Sequence, residues 1–170
     1  KDAGGYAGGP FNGEAIGTPS PAPSITSPAI SGTTGTCGYS AFSGSATGGS
    51  AFNIDGLPVN KTDGVKNSVS FWMYWNGTDL IQPIGFQEYN LFFSGGRFGF
   101  NTGAYDIWGV ISTSLSNGWH HVVAIFTNGN VSNSKLYIDG TLRSLTQTNS
   151  SEIVNSRAYV QSTLRVSGWT

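Results

Sequence analysis

The sequence predicts an all-β fold in which two antiparallel sheets form a sandwich. Many short stretches are rich in β-branched and aromatic residues, as strands are. Turn signals such as Asn-Gly and Asp-Gly separate these stretches at regular spacing. No segment shows the 3.6-residue apolar period of an amphipathic helix. A chain of 170 residues is long enough for one domain with a sizeable core, and regularly spaced short strands are typical of a sandwich.

The strongest strand signals lie in the middle of the chain. The stretch "SVSFWMYW" (68–75) alternates between two faces and carries aromatic residues on both, which predicts a central strand. The stretch "LFFSGGRFGF" predicts a hairpin in which 91–93 pairs with 97–100 across a glycine turn.

The strand predicted for "WHHVVAIF" (119–126) contains His120 and His121, the two histidines of the chain. Neighbouring residues of a strand point to opposite faces, so the two imidazoles are not expected to act on one metal or one substrate. We expect each ring to bond a neighbouring backbone or side-chain group instead. Asp139-Gly140 predicts a type I′ turn that follows the next strand.

The N-terminal segment differs in composition. Residues 1–36 are rich in Gly, Pro, Ser and Thr, and the prolines oppose helices and central strands. We expect extended coil packed on, or leading into, a sandwich formed by residues 37–170, with a short edge strand near 25–30. A disordered linker would have a similar composition. Cys37 is either a small buried apolar residue or the partner of a cysteine elsewhere.

Charge excludes several kinds of partner. Only 10% of the residues are charged and the net charge is −1, so no basic surface is expected to bind nucleic acid. No apolar run is long enough to span a bilayer, so we expect no membrane insertion by this segment.

Three motifs carry a family resemblance. "LSNGWHHVVAIF", "KLYIDGTL" and "LRVSGW" resemble laminin-G-like domains of the concanavalin A-like jelly-roll superfamily, over about residues 38–169. "GTCGYSAFSG" and the whole pattern resemble modules of bacterial surface proteins, including adhesins and proteins of mannose-sensitive haemagglutinin pilus biogenesis. The resemblance implies a jelly roll at the bacterial cell surface, outside the cell. Such domains usually have one further strand at each end, so we expect a fragment, or a strand donated by a neighbouring chain segment or subunit.

The resemblance also implies candidate calcium ligands. Laminin-G-like domains often bind one Ca²⁺ at a loop rim through carboxylate, amide and carbonyl oxygens. Asp79 and Asp106 are the candidate metal ligands, and Asn101 lies near Asp106. The alternative is that both are solvated loop aspartates that bond their own backbone.

Sugar binding is predicted from aromatic and amide residues in loop-like contexts. Tyr89, Tyr105 and Trp108 are the candidate stacking residues, and Asn101 is the candidate hydrogen-bonding residue. Core burial is the alternative for each aromatic residue, and it is the expectation for the three other tryptophans of the strands, Trp72, Trp75 and Trp119.

No enzymatic activity is expected. Glycoside hydrolysis needs two carboxylates facing one cleft, and Glu14, Glu88 and Glu152 are isolated in the sequence. The sequence therefore predicts a non-catalytic adhesion module that binds glycan or a surface protein through rim loops at 76–90 and 101–110. The alternative function is a structural or assembly module that binds no sugar.

Overall fold

Two antiparallel sheets surround one apolar core in the computed structural model of the chain. The structure describes residues 13–16, 20–21, 40–41, 51–87, 89–103, 106–147 and 158–167, with side chains from residue 51 onward. The strands are β1 (Gly13–Ile16), β2 (Ser20–Pro21), β3 (Ser40–Ala41), β4 (Ala51–Ile54), β5 (Lys66–Trp75), β6 (Ile81–Gly85), β7 (Asn90–Ser94), β8 (Arg97–Gly103), β9 (Asp106–Ile111), β10 (Gly118–Thr127), β11 (Lys135–Ile138), β12 (Thr141–Leu142), β13 (Thr146–Gln147) and β14 (Leu164–Val166).

The larger sheet has eight strands in the order β1-β4-β14-β6-β7-β8-β9-β13, and the smaller has four in the order β12-β11-β10-β5. β2 and β3 form a separate pair. All the pairings are antiparallel. The predicted all-β, two-sheet sandwich is therefore confirmed.

Both predicted hairpins are present. β7 and β8 pair in the register Ser94 to Arg97, which leaves Gly95 and Gly96 as a two-residue turn with positive φ at both positions. In the second hairpin, Asp139 has φ 53° and Gly140 has φ 76°. Positive φ at both central residues defines the type I′ turn, whose twist matches that of the flanking strands.

The strand β5 alternates as predicted but occupies an unexpected place. Val69, Phe71 and Met73 pack against the core, whereas Trp72 and Tyr74 are exposed on the other face. Within the described part of the chain β5 ends the four-stranded sheet and pairs only with β10. The prediction of a central strand was wrong, because aromatic residues on both faces do not require both faces to be covered.

The N-terminal segment contributes backbone to the larger sheet. β1 pairs with β4, and its Glu14 is in register with Asn53. Extended coil was predicted over these residues, so β1 is a strand that the proline-rich composition concealed. The predicted edge strand at 25–30 and Cys37 lie outside the described residues.

Core packing divides the larger sheet into two faces. Leu91 and Phe93 on β7, and Phe98 and Phe100 on β8, belong to the core cluster that also includes Phe126 of the opposite sheet. Each buried side chain of this size stabilises the fold by about 1.5–3 kcal/mol. The alternating residues of the same strands consequently lie on the face turned away from the core.

Helical structure is limited in the described residues to two 3-10 turns, at Ser112–Ser114 and Val131–Asn133. None of the helices found there has the length and apolar character needed to cross a membrane.

Candidate functional site

A row of polar residues crosses four neighbouring strands of the larger sheet. Arg165 on β14 pairs with Asn53 on β4 and with Gly85 on β6, and Gly85 pairs with Asn90 on β7. Residues directly opposite one another in an antiparallel sheet point to the same face. Leu164, beside Arg165 on β14, packs against the core. The polar row therefore lies on the face turned away from the core.

This row borders a cavity of about 300 Å³. Its volume is at the lower end of the range of about 300–1,000 Å³ that is typical of small-molecule sites. We call it the polar cavity, because amides, hydroxyls and one guanidinium dominate its lining. The described lining residues are Asn53, Gln82, Ile84, Gly85, Phe86, Gln87, Asn90, Gln161, Ser162, Thr163 and Arg165.

Gly85 makes the middle of the row possible. A Cβ atom at this position would lie 2.2 Å from both Cα and Cβ of Asn90. No real Cβ atom approaches another carbon so closely, so only glycine fits beside Asn90 at this strand separation. Gly85 therefore allows β7 to approach β6 closely enough for Asn90 to lie over the glycine backbone.

Several polar atoms around the cavity are buried without a hydrogen-bond partner. Asn90 is only 4% exposed, yet neither its amide oxygen nor its amide nitrogen has a partner. Asn53 Oδ1 and Arg165 Nε are also buried and unpartnered. Leaving a buried donor or acceptor unsatisfied costs about 1–3 kcal/mol per group. Groups concentrated in this way around one cavity point to a polar ligand or ordered water that completes them.

Arg165 gives the cavity its charge. It is the one charged side chain among the described lining residues, and no described carboxylate forms an ion pair with it. Burial lowers the pKa of Arg165 below its usual value, although arginine remains protonated at neutral pH because its ordinary pKa lies above about 12. The cavity therefore has a positive charge with no counter-ion among the described side chains.

Backbone hydrogen bonds hold the segment that leads into β14. Leu57 N–H donates to Ser162 O at 2.8 Å, and Ser167 N–H donates to Pro83 O at 2.8 Å. Val160 N–H donates to Asn128 Oδ1 at 3.2 Å. These bonds fix one wall of the cavity on both sides of Arg165.

Tyr89 holds the turn that forms another part of the wall. Phe86 and Tyr89 exchange backbone hydrogen bonds of 3.0 and 3.1 Å. The Tyr89 ring is fully buried, and its hydroxyl donates to Thr127 O at 3.2 Å and lies 2.5 Å from Ser134 Oγ. Burial raises the pKa of Tyr89 to about 12. The prediction that Tyr89 stacks on a sugar is therefore incorrect, because its ring lies inside the core.

The other predicted sugar-binding residues have different positions. Trp108 on β9 is half-buried and packs against the core, so its ring is not the exposed platform that the sequence predicted. Asn101 is half-buried on β8. The register that pairs Leu91 with Phe100 brings Asn101 beside Asn90, so it extends the polar row by one strand without lining the cavity. Tyr105 lies outside the described residues.

Asp79 and Asp106, the predicted calcium ligands, lie at opposite ends of β8. Asp79 is exposed and accepts from Gly96 N–H at 3.3 Å, at the turn before β8. Asp106 is buried and pairs with Gly103, at the far end of that strand. Seven residues of strand separate the two places by roughly 20 Å, so the two carboxylates do not fit a single ion. Among the described residues, no three His, Cys, Asp or Glu side chains form a group that could hold a metal.

The two histidines point to opposite faces of β10, as predicted. His120 is buried, with Nδ1 2.7 Å from Asp139 Oδ2 and Nε2 2.7 Å from Ser116 O. His121 is half-buried, and its Nε2 lies 2.9 Å from Ser70 Oγ. Each ring therefore bonds neighbouring groups, and the prediction of separate structural roles is confirmed.

The smaller sheet carries exposed aromatic rings on its outer face. Trp72 is 40% exposed and Tyr74 is 52% exposed. Trp72 lies against His121 with ring centroids 5.2 Å apart, and Tyr74 meets Trp119 edge-on at 5.7 Å. We call these four residues the aromatic face. Trp72 was expected to be buried; Trp75, which stacks on Phe93 in the core, is buried as expected.

The predicted binding loop at 76–90 contains six of the lining residues, but none of them was named individually from the sequence, and Asn53 and Arg165 lie outside the predicted loops. The alternation in Leu164-Arg165-Val166 does place Arg165 on the face opposite the two apolar residues. Asn53 and Asn90 gave no comparable signal, because their proximity to Arg165 depends on β14 lying between β4 and β6.

Two antiparallel sheets packed around one core define the class of jelly-roll-like β-sandwich domains. The family described as the concanavalin A-like lectin/glucanases superfamily matches residues 46–164. This match covers more than half of the chain, and the chain belongs to that superfamily. No curated protein and no solved structure matches the chain significantly.

Proposed function

We propose that this chain is a non-catalytic carbohydrate-binding module and that the polar cavity holds the sugar. The observation that carries the proposal is the buried Asn90 amide, which lines the polar cavity and whose donor and acceptor atoms are both unpartnered. A sugar hydroxyl both donates and accepts a hydrogen bond. A sugar ring in the cavity would therefore satisfy the atoms that the protein itself leaves unsatisfied.

The remainder of the lining supports the same chemistry. Gln82, Gln87 and Gln161 add amide donors and acceptors, and Ser162 adds a hydroxyl. Ile84 and Phe86 also border the cavity from the core side and form its apolar boundary. A lining of mixed donors and acceptors with one apolar side suits a polyhydroxylated ring of one or two units.

Binding is favoured over hydrolysis by the acid groups near the cavity. A glycoside hydrolase uses two carboxylates that flank the scissile bond. No described lining residue carries a carboxylate. Asp55 accepts a hydrogen bond from the Thr163 hydroxyl at the edge of the lining, and Glu14 on β1 is in register with Asn53. Amides, hydroxyls and one guanidinium can hold a sugar, but they supply neither a proton nor a nucleophile for its cleavage.

We place this activity in adhesion at the bacterial cell surface, where the partner is a glycan or a glycosylated surface protein. The low charge and the resemblance to modules of bacterial adhesins support this setting. Calcium dependence is a separate part of the proposal. It depends on Asp79, whose exposed carboxylate accepts a hydrogen bond from Gly96 N–H in the turn after β7. Asn90 lies at the other end of β7.

A glycan array followed by titration calorimetry tests the proposal. We expect the purified chain to bind a defined set of saccharides and Ser162→Phe, which places a ring in the cavity, to abolish that binding. Ser68→Phe is the matched control, because Ser68 is exposed on the other sheet. Binding that survives Ser162→Phe would move the site elsewhere, and a chain that folds but binds no saccharide would overturn the proposal.

A second candidate function is an assembly module, and the aromatic face supports it. Exposed aromatic rings that lie together are typical of protein interaction sites. Trp72 and Tyr74 both belong to β5, which ends its sheet in the described part of the chain. A neighbouring subunit or a donated strand could cover both the rings and this strand edge.

A further inference from the structure

The charge within the polar cavity restricts the kind of sugar that fits. Arg165 is partly desolvated, and no described carboxylate pairs with it. A buried charge without a counter-ion is unfavourable, and an anion brought by the ligand would relieve that cost. A neutral sugar would occupy the space but leave the guanidinium uncompensated.

The spacing of the row provides room for a ring between the charge and the amide. Arg165 and Asn90 lie on strands separated by β6, which is a distance of two strand spacings, about 9.5 Å. The residue of β6 between them is Gly85, which has no side chain. A ligand that reaches both groups must therefore carry an anionic group at one end and hydroxyls at the other.

A hexuronic acid has that arrangement. Its carboxylate projects from one side of the pyranose ring, and its ring hydroxyls lie on the other side. The planar arginine fork matches a carboxylate with two parallel hydrogen bonds, and Arg165 Nε is one of the unpartnered donors. The Asn90 amide can then bond the hydroxyls at the opposite edge of the same ring.

We infer that the polar cavity binds an acidic saccharide, with the sugar carboxylate on Arg165 and the ring hydroxyls on Asn90. This inference rests on the proposed function, since it specifies the sugar class for the same site. It concerns recognition only and requires no bond to be made or broken.

Matched pairs of methyl glycosides test the inference on the full chain. Each pair has one ring stereochemistry and differs at C6 alone: glucuronide and glucoside, galacturonide and galactoside, mannuronide and mannoside. We expect at least one acid to bind about ten- to a hundredfold more tightly than its neutral partner, as a charge-assisted pair allows. Raising NaCl should weaken binding of the acid more than binding of the neutral sugar.

Variants at Arg165 identify the group responsible. Arg165→Gln should remove the preference for the acid while leaving weak binding of the neutral sugar, and Arg165→Lys should retain part of the preference because it keeps the charge but loses the fork. Lys135→Gln is the control, since it removes one positive charge from an exposed position on the other sheet. Thermal unfolding of each variant shows that it is folded.

The outcomes separate the inference from the proposed function. Equal affinity for acid and neutral sugars would overturn the inference and leave a neutral-sugar module. Equal tightening by a 6-sulfate ester would overturn the assignment to a carboxylate. A preference for acid that survives Arg165→Gln would place the anion elsewhere. No binding of any saccharide by the folded chain would overturn both proposals.

Discussion

His120 Nδ1 lies 2.7 Å from Asp139 Oδ2, and this contact joins β10 to the turn between β11 and β12. The other oxygen of Asp139 accepts from His121 N–H at 2.9 Å. The second ring nitrogen of His120 lies 2.7 Å from Ser116 O, before β10 begins. One imidazole thus links the entry of the strand to the hairpin that follows it.

Asp139→Asn should destabilise the fold. The exchange removes the charge on the hydrogen bond to His120 while keeping a residue that tolerates the positive φ of 53° at this position. Because the Asp139 side chain is 46% exposed, we expect a loss of roughly 1 kcal/mol, below the 1.5–3 kcal/mol of a shielded charged hydrogen bond. Urea unfolding measures the difference, with Asp79→Asn as the control at an exposed aspartate whose hydrogen bond from Gly96 N–H is long, at 3.3 Å.

The same residue predicts a pH dependence. Burial opposes ionisation of Asp139, but hydrogen bonds from His120 and from His121 N–H outweigh it, so its pKa lies below the usual value. A lowered folded-state pKa stabilises the fold fully above the unfolded value of about 3.9 and progressively less as the pH falls through the folded value. The stability difference between wild type and Asp139→Asn should therefore shrink below about pH 4. A difference that stayed constant from pH 6 to pH 3 would contradict this assignment.

Tyr89→Phe tests whether the Tyr89 hydroxyl stabilises the core or contacts the saccharide. Removing the hydroxyl takes a partner from Thr127 O and from Ser134 Oγ, both in the interior. We expect a loss of about 1–3 kcal/mol in the free energy of unfolding and no change in saccharide affinity. Thermal unfolding and calorimetric titration of the same sample provide both numbers. A variant with normal stability but weakened binding would return Tyr89 to the site.

Gly85→Ala should damage the cavity and the sheet together. The added Cβ would lie 2.2 Å from Asn90 Cα, so β6 and β7 must move apart. We expect destabilisation of about 1–3 kcal/mol, typical of overpacking, and loss of saccharide binding. Gly95→Ala is the control, because its φ is 58° but nothing lies within 4 Å of the added carbon. Gly95→Ala should lower stability and leave saccharide binding intact. If both variants bind saccharide equally well, Gly85 does not shape the binding site.

Substitutions in the aromatic face should affect association between molecules more than they affect the stability of the fold. Trp72→Ser and Tyr74→Ser should each lower the free energy of unfolding by only about 1 kcal/mol, since the two residues are 40% and 52% exposed. If the module assembles through this face, analytical ultracentrifugation should show self-association of the wild type that the double variant loses. If the wild type is monomeric at all concentrations, the module does not self-assemble through this face.

Calcium dependence can be measured with EDTA and with millimolar CaCl₂. A site with a Kd one hundredfold below the calcium concentration raises stability by about 2.7 kcal/mol, or several degrees in Tm. We expect any such rise to disappear in Asp79→Asn and to persist in Asp55→Asn, whose carboxylate is also exposed. If calcium leaves the Tm of the wild type unchanged, calcium dependence is not part of the function.

Local chemistry explains how far the sequence predicted this fold. The alternation of β10 and the Asp139-Gly140 turn depend on residues close together in the chain, and both were correctly predicted. The position of β14 between β4 and β6 depends on pairings between residues 80 to 114 positions apart in the chain. No local pattern encodes that neighbourhood, so Asn53, Asn90 and Arg165 did not appear as one site.

The incorrect predictions for Tyr89 and Trp72 also arise because local sequence does not determine which face of a sheet is covered. The type of a residue shows that a ring can stack, but its sheet and its face decide what it touches. Tyr89 is followed closely by a buried strand, and its hydroxyl reaches Thr127 and Ser134 in the interior. Trp72 looked like its buried neighbour Trp75, yet it lies three residues away on the opposite face of β5.

The position of β14 sets the order in which the molecule can be completed during synthesis. β4 and β6 are synthesised before β14, and the strand position between them is filled by residues 164–166. Until those residues leave the ribosome, two strand edges remain open to wrong partners. The long sequence separation of these pairings also slows closure of the sheet. Arg165 arrives with β14, so saccharide binding would report that β14 has joined β4 to β6.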